Sequence, residues 1–234
     1  MHAAGSLKFD NVNADRQHSE VRRRAALVGL TPEHRVVVAG STQDPEEAAA
    51  VEAAKNLLPK YPTLKLIVVP RHPERFDEVH RVLTRSGLRV LRRTAIDRDQ
   101  TPHDQPPRDW QVLLVDTVGE LKWWWGLAEL ALVGGSFGDR GGQNMLEPAA
   151  YGAKVAFGPN TWNFRAIVRA LLEKQAAWEL PTLDALGGWI DDQLSQPEAG
   201  HERTLRAKQW IDSHQGATDR TYELLNQLLE KHAS

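Results

Sequence analysis

Short apolar runs too continuous to alternate with polar residues recur along this 234-residue chain, and they constrain its fold more than any other feature. They are VVVAG (36–40), KLIVVP (65–70), LRVL (88–91), QVLLVD (111–116), LALVGG (130–135) and KVAFG (154–158). A strand with one wet face alternates apolar and polar side chains. A run without alternation needs cover on both faces, which a parallel sheet layered by helices supplies. Helical patterns fill the intervals. Phe164, Ile167, Val168, Leu171 and Leu172 fall on one helical stripe, and Phe76, Val79 and Leu83 form a narrower one that Gly87 closes as a C-cap. The alternation predicts an α/β domain: a doubly wound parallel sheet of about six strands, with helices on both faces and right-handed crossovers.

After about residue 181 the strands stop, and the remainder reads as helical, with Tyr222, Leu225, Leu228 and Leu229 along one face of the last helix. Residues 1–16 are polar and are expected to be a linker or frayed lead-in, which leaves 17–234 as one domain. With 41% hydrophobic residues the chain can bury one sizeable core. A formal net charge of −2 gives no basic footprint for nucleic acid. There is no cysteine, hence no disulfide or thiol chemistry. No apolar run approaches the roughly 20 residues that span a bilayer, and the N-terminus lacks a signal peptide's apolar core, so a soluble domain is expected. Residues 96–108 (IDRDQTPHDQPPR) read as a polar, non-helical loop.

In open α/β sheets ligands bind outside the carboxyl ends of the strands. Here those ends carry Gly40, Ser41 and Thr42; Pro70, Arg71, His72 and Pro73; Asp116, Thr117, Val118, Gly119 and Glu120; the stretch GGSFGDRGGQNMLEP (134–148); and Gly158, Pro159 and Asn160. Together they describe a polar cleft along one edge of the sheet. The glycine stretch runs from an apolar strand into a helix start, an arrangement that seats phosphate on backbone N–H groups. It equally fits a plain strand-to-helix turn. Asn144 and Glu147 fit a capping box, and a first-turn Glu beside a phosphate also suits ribose hydroxyls. Arg71 reads either as a ligand contact or as the partner of a surface acid. The bare helix end at Gly119 and Glu120 reads either as an ordinary helix start or as N–H groups offered to a base or phosphate.

Other chemistries find little support. Asp97 and Asp99 form a D-x-D, but in the hydrophilic loop rather than at a strand end. The nine histidines lack metal-ligand spacing, so no metal site is expected. A G-x-S-x-G elbow, a Walker lysine and a dinucleotide G-x-G-x-x-G near the first strand are all absent, and no cofactor is expected. Trp123, Trp124 and Trp125 span about 200° of a helix, against a buried stripe of roughly 100°. At least one indole should therefore reach the surface. Chance exposure is one reading, and an interface with another domain or a membrane is the other.

With these residues assembled, the chain resembles the C-terminal half of 3-deoxy-D-manno-octulosonic acid (Kdo) transferases, which add Kdo to the lipid A precursor. The stretches that carry the resemblance are GSLKFD (5–10), VAGST (38–42), VPRHPERFDEV (69–79), DTVGEL (116–121), ALVGGSFGDRGGQNMLEPAAYGAKVAFGP (131–159) and NF (163–164). The resemblance implies the C-terminal, Rossmann-like half of a GT-B fold that holds CMP-Kdo. It further implies that Arg71, His72, the amides around Gly119 and Glu120, Ser136, Asn144 and Glu147 contact the CMP moiety. Glu147 would take the ribose, while Asn144 and the glycine loop at Gly135 would hold the phosphate. Ser41, Thr42, Arg140 and Lys8, the last in a linker-like segment, are further candidates. Fixed N–H groups and Arg suit a reaction whose leaving group is CMP, because negative charge grows on the phosphate.

Departures from the family pattern are Gln143 where it has His, and Gln43, Asp44, Pro45, Glu46 and Glu47 where it has His-x-Gly-Glu-Glu. The Trp triplet replaces smaller residues. An N-terminal acceptor-binding domain with its acidic general base has no counterpart here. The expectation is therefore an excised domain, with Met1 an artificial start, that binds a cytidine nucleotide and transfers nothing. The whole protein would work on the cytoplasmic face of the inner membrane, aided by the Trp triplet. Two alternatives stand beside this: another GT-B transferase or epimerase using a UDP- or GDP-sugar, and a non-catalytic nucleotide-binding module.

Overall fold

A computed structural model describes residues 9, 10, 12, 14–98, 109–218 and 220–222. Lys8, Asp99, most of the 96–108 loop, and Leu225, Leu228 and Leu229 lie outside them. In chain order the elements are α1 (Ser19–Leu27), β1 (Arg35–Thr42), α2 (Glu46–Leu57), β2 (Leu64–Pro70), α3 (Phe76–Arg85), β3 (Val90–Arg92), α4 (Arg93–Arg98) and β4 (Val112–Leu114). They continue as α5 (Leu121–Trp125), β5 (Leu130–Val133), α6 (Leu146–Ala150), β6 (Lys154–Phe157), α7 (Arg165–Glu173), β7 (Trp178–Glu179), α8 (Ala185–Ser195) and α9 (His201–Asp212).

The strands form one parallel sheet of seven in the order β3-β4-β2-β1-β5-β6-β7. The seventh, Trp178–Glu179, was not expected, because two residues carry no periodicity. Alternate residues of each strand serve opposite cores. Val36, Val38, Ile67, Val69, Leu113, Ala131 and Phe157 pack on one face with Trp124, Ile167, Leu171 and Trp210. Val37, Ala39, Leu66, Val68, Leu114, Leu132 and Ala156 pack on the other with Val51, Val79, Leu83, Leu186 and Ile190. Burial of both faces is what made the strands read as unbroken apolar runs.

Strand order reverses at β1, which pairs with β2 on one side (Gly40 against Val69) and β5 on the other (Gly40 against Val133). The crevice at such a switch point is where open α/β sheets bind ligands.

Two expectations need correcting. The described part of the N-terminal lead-in is docked on the domain. Phe9 packs edge-on against Trp210 at 5.1 Å, Asp10 accepts hydrogen bonds from the amides of Gly216 and Thr218, and Arg16 donates to the carbonyls of Tyr151, Gly126 and Ala128. Isolated apolar residues in a polar segment gave no periodic signal of this. Residues 96–98 are helical, closing α4, where Arg93 pairs with Asp97 at 2.8 Å.

Candidate functional site

A cleft of about 270 Å³ opens at the carboxyl ends of β1, β2, β4 and β5. β1 contributes Ser41, the end of β2 Arg71, the turn after β4 Gly119, and α5 Leu121, Lys122 and Trp125. Gln143, Asn144 and Glu147 line it from the β5–α6 connection and α6. Five strand-end candidates drawn from distant parts of the sequence (Ser41, Arg71, Gly119, Asn144 and Glu147) therefore meet around one cavity.

The backbone shapes this cleft. Gly119 has φ +82° and, among the described residues, nothing within 4 Å of the position its Cβ would take, so these residues leave the turn after β4 open. Ser41, at a bulge in the β1–β2 pairing, has φ 55°, a conformation that costs a non-glycine residue about 1 kcal/mol or more and that clusters at ligand sites. The Arg71 amide donates to the Thr42 carbonyl at 3.1 Å, fixing the root of the exposed Arg71 side chain between β1 and β2. Gly40 lets Trp125 lie against β1, since a Cβ there would collide with the indole.

Glu147 is half-buried, and burial pushes its carboxyl above the ordinary glutamate range. Hydrogen bonds from Asn144 and the Trp125 indole, together with the charges of Arg71 and Lys122, pull the other way but do not cancel it. Asn144 Nδ2 donates to Glu147 Oε1 at 3.2 Å while its Oδ1 accepts from the Leu146 amide at 3.1 Å. The expected capping box does not form, because the N-cap of α6 is Met145 and carries no side-chain cap; Asn144 instead bonds the first helical amide and Glu147, and both residues line the cleft. Lys122, Trp125 and Gln143 complete the wall. Lys122 could have been read from the sequence as a cation two residues beyond the Gly119–Glu120 turn.

The glycine loop departs most from expectation. Its amides at Gly135 and Ser136 donate to the Glu46 carboxylate at 2.8 and 3.0 Å, joined by Phe137 at 3.3 Å and Gln43 at 2.9 Å. The anion held there is the chain's own. Burial raises the Glu46 carboxyl above its ordinary range, and the four amides oppose that. Ser136 is fully buried; its Oγ donates to the Val133 carbonyl at 2.7 Å and accepts from the Gly158 amide at 2.8 Å. Neither Gly135 nor Ser136 lines the cleft.

The remaining candidates stand around the cleft rather than in its wall. The Glu120 carboxylate is turned into an ion cluster with Arg24 at 3.1 Å and Arg93 at 3.3 Å, and it accepts from the Trp124 indole. His72 is half-buried, its Nδ1 3.6 Å from Glu74 Oε1. Thr42 is fully buried, and its Oγ1 has no hydrogen-bond partner among the described residues. Arg140 is exposed, with its carbonyl held by Asn163. Of the Trp triplet, Trp124 and Trp125 are buried. Trp123 is half-buried, stacked on His18 at 4.4 Å beneath Lys122 Nζ at 4.2 Å. It lines a second groove of about 530 Å³ that shares Lys122 and Glu147 with the cleft. Among the described residues there is no cluster of three or more His, Asp or Glu side chains placed for a metal, and no helix long and apolar enough to cross a membrane.

No protein-family model matches the chain. The 3-deoxy-D-manno-octulosonic acid transferase of Bordetella pertussis is 35% identical over 228 residues, 96% of this chain and 51% of that protein. The chain thus spans about half the length of the curated relatives it matches. The crystal structure of the C-terminal CMP-Kdo binding domain of WaaA from Acinetobacter baumannii superposes with a TM-score of 0.73 at 31% identity, covering 82% of this chain and 97% of that one. The C-terminal domain of a group 1 glycosyl transferase from Francisella tularensis shares the fold, with a TM-score of 0.59 at 13% identity over 89% of this chain and 97% of that one. The architecture is that of the C-terminal half of a GT-B glycosyltransferase. On this sequence and structural likeness, the chain belongs to the Kdo transferase family.

Proposed function

We propose that this chain is the donor-binding domain of a Kdo transferase and that the cleft at the β1–β5 switch point holds the CMP moiety of CMP-Kdo. The convergence of Arg71, Gly119, Asn144 and Glu147 on one cavity carries the reading. The relative from Acinetobacter baumannii, named for CMP-Kdo binding, supports it. Arg71 and Lys122 supply positive charge for the phosphate, and Glu147, tethered by Asn144 and Trp125, supplies acceptors for ribose hydroxyls. The turn at Gly119 offers backbone groups to the base.

Departure of CMP during transfer leaves negative charge on its phosphate. Cations and amides already in position stabilise that charge without reorganising. In the whole protein, a further domain would bind the lipid A precursor at the cytoplasmic face of the inner membrane and supply the base that deprotonates the acceptor hydroxyl. This chain alone would bind the nucleotide and transfer nothing.

Isothermal titration of the chain with CMP, UMP, UDP and GDP tests the reading. Saturable heat with CMP, and weaker or no heat with the others, is expected. Preference for UDP or GDP would instead place the chain with transferases using those donors. No heat with any nucleotide would overturn the site.

A further inference from the structure

Glu46 begins α2 with a carboxylate that is 1% exposed and accepts four backbone hydrogen bonds, from Gln43, Gly135, Ser136 and Phe137. Three of those donors are consecutive amides leaving β5, so they form a concave nest of N–H groups. At the switch point of an α/β sheet, such a glycine-rich turn is where the phosphates of a diphosphate ligand are seated. Here the seat is filled from behind. Both carboxyl oxygens face two N–H groups each, an arrangement that suits an accepting carboxylate.

The carboxylate stands directly behind the cleft wall. A Cβ built on Gly134 would lie 2.6 Å from Glu46 Oε2 and 2.7 Å from the carbonyl of Ser41, a residue that lines the cleft. Glu47 cannot exchange roles with its neighbour, since it is buried against Arg75 at 2.7 Å. Among the described residues, the cations lining the cavity are Arg71 and Lys122, set against the acid Glu147. That balance suits one phosphate. A second phosphate laid against the start of the β5 turn would find the amides of Gly135, Ser136 and Phe137 already taken and would meet a like charge across a poorly screened wall.

We propose that Glu46, by occupying the amide nest of the glycine loop, restricts this cleft to nucleotide donors carrying a single phosphate. The inference rests on the cleft being the nucleotide site, and it makes Glu46 a specificity-determining residue that acts through the loop it holds.

Titration calorimetry with CMP and CDP, on the unaltered chain and on Glu46→Ala, tests it. The unaltered chain is expected to bind CMP at least tenfold more tightly than CDP. In Glu46→Ala the ratio should narrow at least tenfold, with CDP binding tighter in absolute terms. Damage to the loop would weaken both ligands, so a gain for CDP has no merely structural explanation. Glu46→Gln, which removes the charge and sets an NH2 against two of the N–H donors so that it cannot hold them, carries the same test where the alanine variant does not fold. Equal binding of CMP and CDP by the unaltered chain would overturn the role of Glu46 while leaving the nucleotide site intact. So would a ratio unchanged in the variant, or one narrowed only by weaker CMP binding. Absence of binding by either nucleotide to the unaltered chain would overturn both.

Discussion

Ser136 Oγ accepts a hydrogen bond from the amide of Gly158 at 2.8 Å, tying the turn after β5 to the turn after β6. The same hydroxyl donates to the Val133 carbonyl at 2.7 Å, so both of its capacities are used inside the protein. Ser136→Ala should therefore leave a buried amide unpaired and cost about 1–3 kcal/mol of stability. Thermal or urea unfolding reads that loss. CMP affinity should stay within about twofold, whereas a phosphate-binding serine would lose tenfold or more.

The same pair shows what could be read in the sequence and what could not. The strands were legible because each lies under two layers, so that Val36 and Val37, or Leu113 and Leu114, serve opposite cores and both must be apolar. The cleft was legible because strand ends are fixed by strands, which brought Ser41, Arg71, Gly119, Asn144 and Glu147 together. The internal partners were not. Glu46 meets Gly135 across 89 positions, and Glu120 meets Arg93 across 27, and nothing local marks either pairing. A polar residue at a strand end therefore reads alike whether it faces the cleft, as Arg71 does, or is consumed by the fold, as Ser136 is. Phe9 and Val12 failed for a related reason: two apolar residues in a polar segment have no period, yet both are buried.

Arg71 is exposed and lines the cleft, so its removal should disturb binding without disturbing the fold. A charge-assisted contact to phosphate is worth about 1.5–3 kcal/mol, and Arg71→Ala should weaken CMP by roughly ten- to a hundredfold. Arg71→Lys should recover part of this, since the charge returns without the planar fork. Calorimetry measures the affinities and thermal melting the fold. Unchanged CMP affinity in Arg71→Ala would remove the guanidinium from the site.

Glu147 makes a prediction of opposite signs for affinity and stability. Burial holds its carboxyl above the ordinary value, so on acidification from neutral pH it takes up a proton earlier than an exposed glutamate. Protonation removes an acceptor for ribose hydroxyls, and CMP affinity should fall. Stability moves the other way. A carboxyl raised in the folded state favours folding as pH falls through its folded pKa, and that contribution is lost as pH rises. As pH falls from neutral, the unaltered chain should thus lose CMP affinity relative to Glu147→Gln while gaining stability relative to it. The CMP phosphate itself titrates near pH 6, but equally for both proteins, so the difference isolates the side chain.

Asp116 should show the reverse dependence of stability. Its carboxylate, 1% exposed, accepts hydrogen bonds from Arg92 Nε at 2.7 Å and from the Thr94 amide at 2.8 Å, clamping the β3–α4 junction to the end of β4. Burial alone would raise its pKa. The bonds from Thr94 and Arg92 outweigh that and leave it below the ordinary aspartate value. A depressed folded pKa contributes stability that is fully present above the unfolded value, and that is lost as pH falls through the folded one. Asp116→Asn should cost about 1–2 kcal/mol at neutral pH, because Arg92 and Thr94 lose a charged acceptor while Arg92 keeps Asp77 at 2.8 Å. The gap between the two proteins should hold steady above about pH 5 and close below about pH 4. Urea melts at stepped pH measure it, and a gap that widened on acidification would mean the clamp is held by packing rather than by the charge.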